Sequence, residues 1–195
     1  TWTPPPLLAA PVSRPATPSE LLVLGSNRTL RLATFHYLVD ASAAPLDLGY
    51  GLRATAIEGD AQEPGRSTLA VSGSLDGRPT SATFLDLEGR YYRRDPLGLR
   101  WQSLPSPLPI DIFAAQQSLA AAMNVARAPQ QVADESIEGT PCHHVIASLQ
   151  AISLTSLFGT PVEGPPIRAD YWIANADLAV RQITLTGKIT YDATS

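Results

Sequence analysis

The stretch STLAVSGSLDGRPTSATFLDLEGRYYRR, residues 67–94, decides the fold class. Its apolar residues recur every second position, with Leu69 and Val71 aligned on one face. Asp76-Gly77 is a tight hairpin signal, because both residues tolerate the positive φ that a two-residue turn demands. Residues 80–87 form the returning strand, and Glu88-Gly89 is a second tight turn into RYYRR. Working outward, the same period-2 pattern continues on both sides. Residues 34–41 align Phe35, Tyr37 and Val39. Residues 50–58 place Leu52, Ala54 and Ala56 on one face, with Arg53 and Thr55 on the other. LRWQSL follows after Pro96–Gly98. Consecutive strands on short links make an antiparallel meander.

The flanks have a different period. T17-P-S-E20 is a capping box, with Thr17 as N-cap, Pro18 at the first helical position and Glu20 reaching back. The helix that follows runs to about Leu32, with Leu21, Leu22, Leu24 and Leu32 towards the core; Gly25 and Asn27 weaken it. Beyond the meander, LPSPLPIDIF interrupts the strands. Residues 111–123 then read as a helix capped by Asp111. Strand pairing resumes at Val132–Ile137 and Cys142–Leu149, around the turn Gly139-Thr140-Pro141. Residues 150–158 are read as a short helix, and GTPVEGPP as a loop. The last hairpin is IRADYWIA and LAVRQITLTGKI, joined at Asn175-Ala176-Asp177. Residues 1–16 hold five prolines and read as an extended tether, ahead of a single domain over 17–195. The start at Thr1 reads as that of a processed or truncated product.

Composition sets limits on function. Charged residues are 16% of the 195 and the net charge is -4. Charge is sparse against a typical quarter, so much of the surface is neutral. The basic residues are scattered, where a nucleic-acid binder needs a basic stripe with interleaved aromatics. Cys142 is the single cysteine, so no internal disulfide forms; this leaves export open. No apolar run reaches the ~20 residues of a membrane-spanning helix.

The best catalytic candidate is Cys142-His143-His144. Neighbours on a strand face opposite ways, so Cys142 and His143 cannot serve each other. Cys142 and His144 share a face about 7 Å apart, a spacing open to a metal pair, yet no third ligand is recognisable. His36 is on a distant strand. No G-x-S-x-G elbow, P-loop or G-x-G-x-x-G is present. The residues therefore argue against an enzyme and imply no cofactor and no metal. Tyr91, Tyr92, Trp101, Tyr171 and Trp172 read as core and rim aromatics, or as the mouth of an apolar cavity with their polar atoms kept wet.

The order of elements resembles a known family. The segments IEGDAQEPGRSTLAVSG (57–73), LEGRYYRRDPLGLRWQSLP (87–105), PIDIFAAQQSL with ADESIEGTPCHHVIASL (within 109–149) and IRADYWIANADLAVRQITL (167–185) are similar, in order and spacing, to the LppX/LprAFG lipoproteins of mycobacteria. More distantly they resemble the LolA/LolB lipoprotein carriers. The likeness covers roughly residues 17–189. It implies an α+β fold: a curved antiparallel half-barrel wrapped around a few helices and enclosing an apolar cavity.

The resemblance also implies a function. Its members bind or carry acylated lipids or glycolipids outside the cytoplasmic membrane, in the cell envelope, tethered by a diacylated N-terminal cysteine. That cysteine is not in this chain. The family also adds a strand after the final hairpin, whereas this chain stops at TYDATS. On this pattern Phe35, Tyr37, Val39, Leu52, Leu69, Val71 and Phe84 form the concave face. Ile112, Leu119 and Met123 cover it from the helix. The expected protein is a monomeric lipid carrier without catalytic residues. The alternative on the same fold is an envelope ectodomain whose core is filled by its own side chains. It would bind a protein partner or act as a sensor, with no lipid.

Overall fold

The computed structural model describes residues 16–43, 45–48, 51–94, 98, 100–105, 110–155 and 161–191. The tether through residue 15 and the middle of LPSPLPIDIF lie outside the described residues.

Helix α1 spans Pro18–Thr29, and the capping box forms: the Thr17 hydroxyl accepts from the Glu20 N–H, and the Glu20 carboxylate accepts from the Thr17 N–H at 2.8 Å. Leu21, Leu22, Gly25 and Ser26 are its buried stripe. Leu24 was expected in that stripe and is 42% exposed. At 100° per residue it points about 130° away from the stripe centre. Leu32 lies past the helix end and is half-buried.

Strands β1 (Thr34–Asp40), β2 (Leu46–Asp47), β3 (Leu52–Gln62), β4 (Arg66–Leu75), β5 (Arg78–Leu87), β6 (Arg90–Arg94) and β7 (Gln102–Leu104) make one antiparallel sheet. Its order is β1-β3-β4-β5-β6-β7, with β2 paired to β3 alongside β1. Both expected hairpin turns have positive φ at each central residue, 49° and 77° at Asp76-Gly77 and 56° and 84° at Glu88-Gly89. These turns match the right-handed twist of the strands they join.

Helix α2 (Ile112–Val125) starts where Asp111 accepts from the Phe113 and Ala114 N–H groups, each at 3.0 Å. Strands β8 (Arg127–Gln131), β9 (Glu135–Ile137) and β10 (Thr140–Leu149) follow. The single strand expected at Val132–Ile137 is instead two pieces, β8 and β9, both paired to β10. Val132 still donates to the His144 carbonyl. The break comes at Asp134, whose carboxylate takes the Gln131 amide and faces His143. Side-chain bonds of this kind compete with the strand ladder.

The short helix expected at 150–158 is a 3₁₀ turn over Ala151–Leu154, with 156–160 outside the described residues. Then come β11 (Val162–Glu163), β12 (Ile167–Ala174), β13 (Val180–Thr186) and β14 (Thr190–Tyr191). The second sheet has the order β13-β12-β10-β8, with β9 beside β10. A strand does follow the final hairpin after all: β14 pairs β11.

The fold is thus open, antiparallel β with two helices, and the strands divide between two main sheets. The helices are bound to each other by polar contacts as well as by packing. Ser26 Oγ donates to the Ala120 carbonyl at 2.9 Å, Asn124 Nδ2 donates to Ser26 Oγ at 2.9 Å, and Gln116 Nε2 donates to the Thr29 carbonyl at 2.6 Å. Gly25 lets the pair settle on the second sheet, since a Cβ there would meet Met123 Cε at 3.1 Å and Ile173 Cδ1 at 3.3 Å.

Candidate functional site

The inner face of the first sheet is an apolar wall. Leu69, Val71, Phe84, Ala54, Ile57 and Ala82 are buried on it, and Tyr37, Val39 and Leu52 pack against them. Of the residues expected on this face, Tyr37, Val39, Leu52, Leu69, Val71 and Phe84 meet here. Ala56 was expected beside Ala54, but the β-bulge between Ala54 and Ala56 shifts the alternation, and Ile57 takes the inner place. A bulge adds one unpaired residue, so every later side chain changes face.

Phe35 belongs to a separate small cluster, where Phe35 and Tyr37 meet Ala61, Ile112, Phe113 and Ala115. Phe113 stands edge-on to Phe35, with ring centres 6.1 Å apart. Tyr37 spans both clusters and donates its hydroxyl to the Thr68 carbonyl at 2.6 Å. Burial pushes its phenol well above the ordinary value of 10.0.

The three helix residues expected to cover the wall go to different places. Ile112 reaches Phe35 and Tyr37. Leu119 is half-buried and belongs to none of the core clusters. Met123 packs in the core of the second sheet with Leu21, Leu22, Val145, Tyr171 and Ile173. The reason is geometric. Three turns of helix span about 16 Å, so a helix that starts on one sheet ends on the other.

A groove of 540 Å³ opens on the first sheet near the β3–β4 hairpin. Thr34, His36, Asp60, Gln62, Arg66 and Thr68 line it, with Leu85. These alternate with the inner-wall residues, so the groove is on the opposite, outer face. Phe35, Ala61 and Ser67 of the inner row also border it, and no residue of α2 does. His36 Nδ1 is 3.0 Å from Asp60, and its Nε2 is 3.5 Å from Glu58. The hydrogen bond to Asp60 raises the His36 pKa above 6.5, against a smaller desolvation effect, with Glu58 adding to the rise. Arg66 donates to Glu88 at 2.8 Å.

The Cys142-His143-His144 segment lies on β10. Cys142 is buried, its thiol donates to the Thr140 carbonyl at 3.3 Å, and burial pushes its pKa up. That makes it a poorer nucleophile than a free thiol. His143 sits 3.2 Å from Asp134. His144 is 7% exposed and held at both ring nitrogens, by Glu135 at 3.0 Å and Asp170 at 2.9 Å. Each ring nitrogen thus faces a carboxylate oxygen, one from β9 and one from β12. Its ring stacks on Trp172 at 4.3 Å, and Trp172 Nε1 donates to Glu135. Arg168 holds Asp170 through Nε at 2.7 Å and through Nη2 at 2.6 Å, which keeps that carboxyl below its ordinary value. His144, Glu135, Asp170 and Trp172 thus bind β9 and β12 to β10. Among the described residues no group of three or more His, Cys, Asp or Glu could hold a metal.

This network was not read from the sequence. Its partners come from β9, β10 and β12, and only the pairing of those strands brings them together. The one available signal was the charged and aromatic run Arg168–Trp172 within an otherwise apolar strand.

No family model matches the sequence, and no curated protein matches it. Solved structures do. LprF from Mycobacterium bovis superposes with a TM-score of 0.68 at 16% identity, over 90% of this chain and 91% of that one. The Mycobacterium tuberculosis lipoprotein LppX superposes with a TM-score of 0.58 at 15% identity, over 86% of each chain. The element order read from residues 57–73, 87–105, 109–149 and 167–185 therefore corresponds to a real likeness in three dimensions, and the chain has the fold of LprF and LppX.

Proposed function

We propose that this protein is an extracytoplasmic lipid-binding lipoprotein that holds acyl chains against the inner wall of the first sheet, beneath α2. The observation that carries the proposal is the division of the apolar interior. The wall around Leu69 and Val71 and the core of the second sheet are separate clusters. Among the described residues, the small cluster of Ile112, Phe113 and Ala115 with Phe35, Tyr37 and Ala61 joins α2 to the wall. A seam this small can open while both sheets stay packed. The fold shared with the lipoprotein LppX supports the same reading.

The energetics suffice without catalysis. Burying acyl methylenes gives about 0.8 kcal/mol each, so a sixteen-carbon chain supplies about 12 kcal/mol as an upper figure. That exceeds the cost of opening one contact between helix and sheet, where a buried aromatic is worth roughly 3–5 kcal/mol. Phe35, Tyr37, Val39, Leu52, Leu69, Val71 and Phe84 line the chain, Ile112 and Leu119 border it, and Met123 anchors the far end of α2. Attachment to the cell envelope through a lipidated cysteine, action as a monomer, and the absence of catalysis and of nucleic-acid binding are parts of the same proposal. They rest on the family resemblance.

Native mass spectrometry of the purified protein, with organic extraction of its lipids, tests this. The expected result is a co-purified lipid, or one that loads from vesicles and exchanges. Recovering none, before or after incubation with vesicles, would favour the ectodomain with a self-filled core.

A further inference from the structure

We propose that the outer-face groove near the β3–β4 hairpin is a binding site for a neutral saccharide of one or two rings. The groove lies on the other side of the sheet from the acyl-binding wall, so this inference does not depend on that one.

Its volume of 540 Å³ falls within the range of about 300–1,000 Å³ usual for small-molecule sites. Its charges argue against an anion. Arg66 gives both Nε and Nη2 to Glu88, and His36 lies between Asp60 and Glu58. Each of these two basic side chains already faces a carboxylate, and three carboxylates surround the pair. A phosphate or sulfate would have to displace one of these partners.

Neutral hydroxyl groups face no such competition. Among the described residues the Thr34 hydroxyl and the Gln62 amide make no hydrogen bond, so donors and acceptors remain available side by side. Asp60 retains a second carboxylate oxygen beyond the one bonded to His36.

An apolar platform lies alongside. Leu85 pairs with Thr68 on one side and with Tyr92 on the other, so Leu85 and Tyr92 are cross-strand neighbours on the outer face. A sugar ring presents C–H groups on its faces and hydroxyls on its rim. Leu85 and the Tyr92 ring suit the faces, and Thr34, Asp60 and Gln62 suit the rim. The saccharide could be free or the headgroup of a glycolipid, and the chemistry at the groove is the same.

The test is an NMR titration of the isotope-labelled full chain with maltose, lactose and methyl mannoside, taken up to about 50 mM, well above a millimolar Kd. At least one sugar should give saturable shifts at Gln62, Thr68 and Tyr92, and inorganic phosphate should give none. Gln62→Ala should weaken binding by about tenfold at an unchanged melting temperature, and Asp60→Asn should weaken it by about tenfold as well. Octyl glucoside below its micelle concentration separates the two sources. Binding about tenfold tighter than methyl glucoside, with added shifts at Phe35, indicates a glycolipid headgroup, and equal binding indicates a free saccharide. The proposal is overturned if all three sugars leave these signals in place, if phosphate moves them equally, or if both variants bind like the parent. None of those results would bear on lipid extraction, which reads the opposite face.

Discussion

A methyl group at Gly59 would overlap the Thr68 carbonyl oxygen and come within 2.7 Å of the Tyr37 hydroxyl. The hydrogen bond between those two groups crosses this glycine, and it aims Tyr37 along the inner wall. Gly59→Ala therefore forces the strands apart and should cost about 1–3 kcal/mol of unfolding free energy, read by urea titration. On the outer face, His36 is held by its neighbours Asp60 and Glu58. Its folded pKa is raised above 6.5, so pairing with Asp60 stabilises the protein below pH 6.5. That contribution disappears as the pH rises through the folded pKa. A proton NMR titration should place the His36 midpoint above 6.5, and Asp60→Asn should lower it. A midpoint unmoved by that substitution would mean the carboxylate does not hold the ring.

Elements are held by a few polar devices whose loss has distinct signatures. The Thr17 cap serves only α1, so Thr17→Ala should cost about 1 kcal/mol and leave the sheets unaltered by hydrogen exchange. The Glu135–His144–Asp170 pin holds β9 and β12 to β10. Arg168, and after it His144, lower the pKa of Asp170, while Trp172 and then His144 lower that of Glu135. Both carboxylates thus contribute stability above their unfolded values, near pH 4, and lose it as the pH falls through the depressed folded values. Amide exchange at residues 135–137 should speed up in acid before exchange in β4 does. Removing Asp170 leaves the buried His144 ring nitrogen without its partner, so Asp170→Ala should destabilise by about 1–3 kcal/mol in urea unfolding at pH 7. A loss below about 1 kcal/mol would place the pin among ordinary surface pairs.

For the whole molecule, the relation of α2 to the two sheets matters most. Its first turn touches the wall of the first sheet, and its last turns belong to the core of the second. The two ends should therefore respond differently to substitution. Met123→Ala removes a fully buried side chain and should cost about 2–5 kcal/mol. Phe113→Ala should cost less, because Phe113 is only partly buried, and should speed exchange of a bound fluorescent fatty acid in a stopped-flow displacement assay. If acyl chains enter elsewhere, Phe113→Ala will leave the exchange rate unchanged.

The sequence by itself determined what depends on neighbours in the chain. The capping box at Thr17, the cap at Asp111, the turns at Asp76-Gly77 and Glu88-Gly89, and the alternation through β4 and β5 all follow from residues within a few positions of one another. The likeness to the LppX fold came from the order of those local features. Tertiary structure decided the rest. The bulge after Ala54 exchanged Ala56 for Ile57 on the wall, because β4 accepts one residue fewer than β3 supplies. The division of the interior into three clusters depends on where the two ends of α2 land. The pin on His144 joins residues 9 and 26 positions away, and the outer groove joins four strands. Contacts over such separations depend on sheet register and twist, which no local pattern encodes.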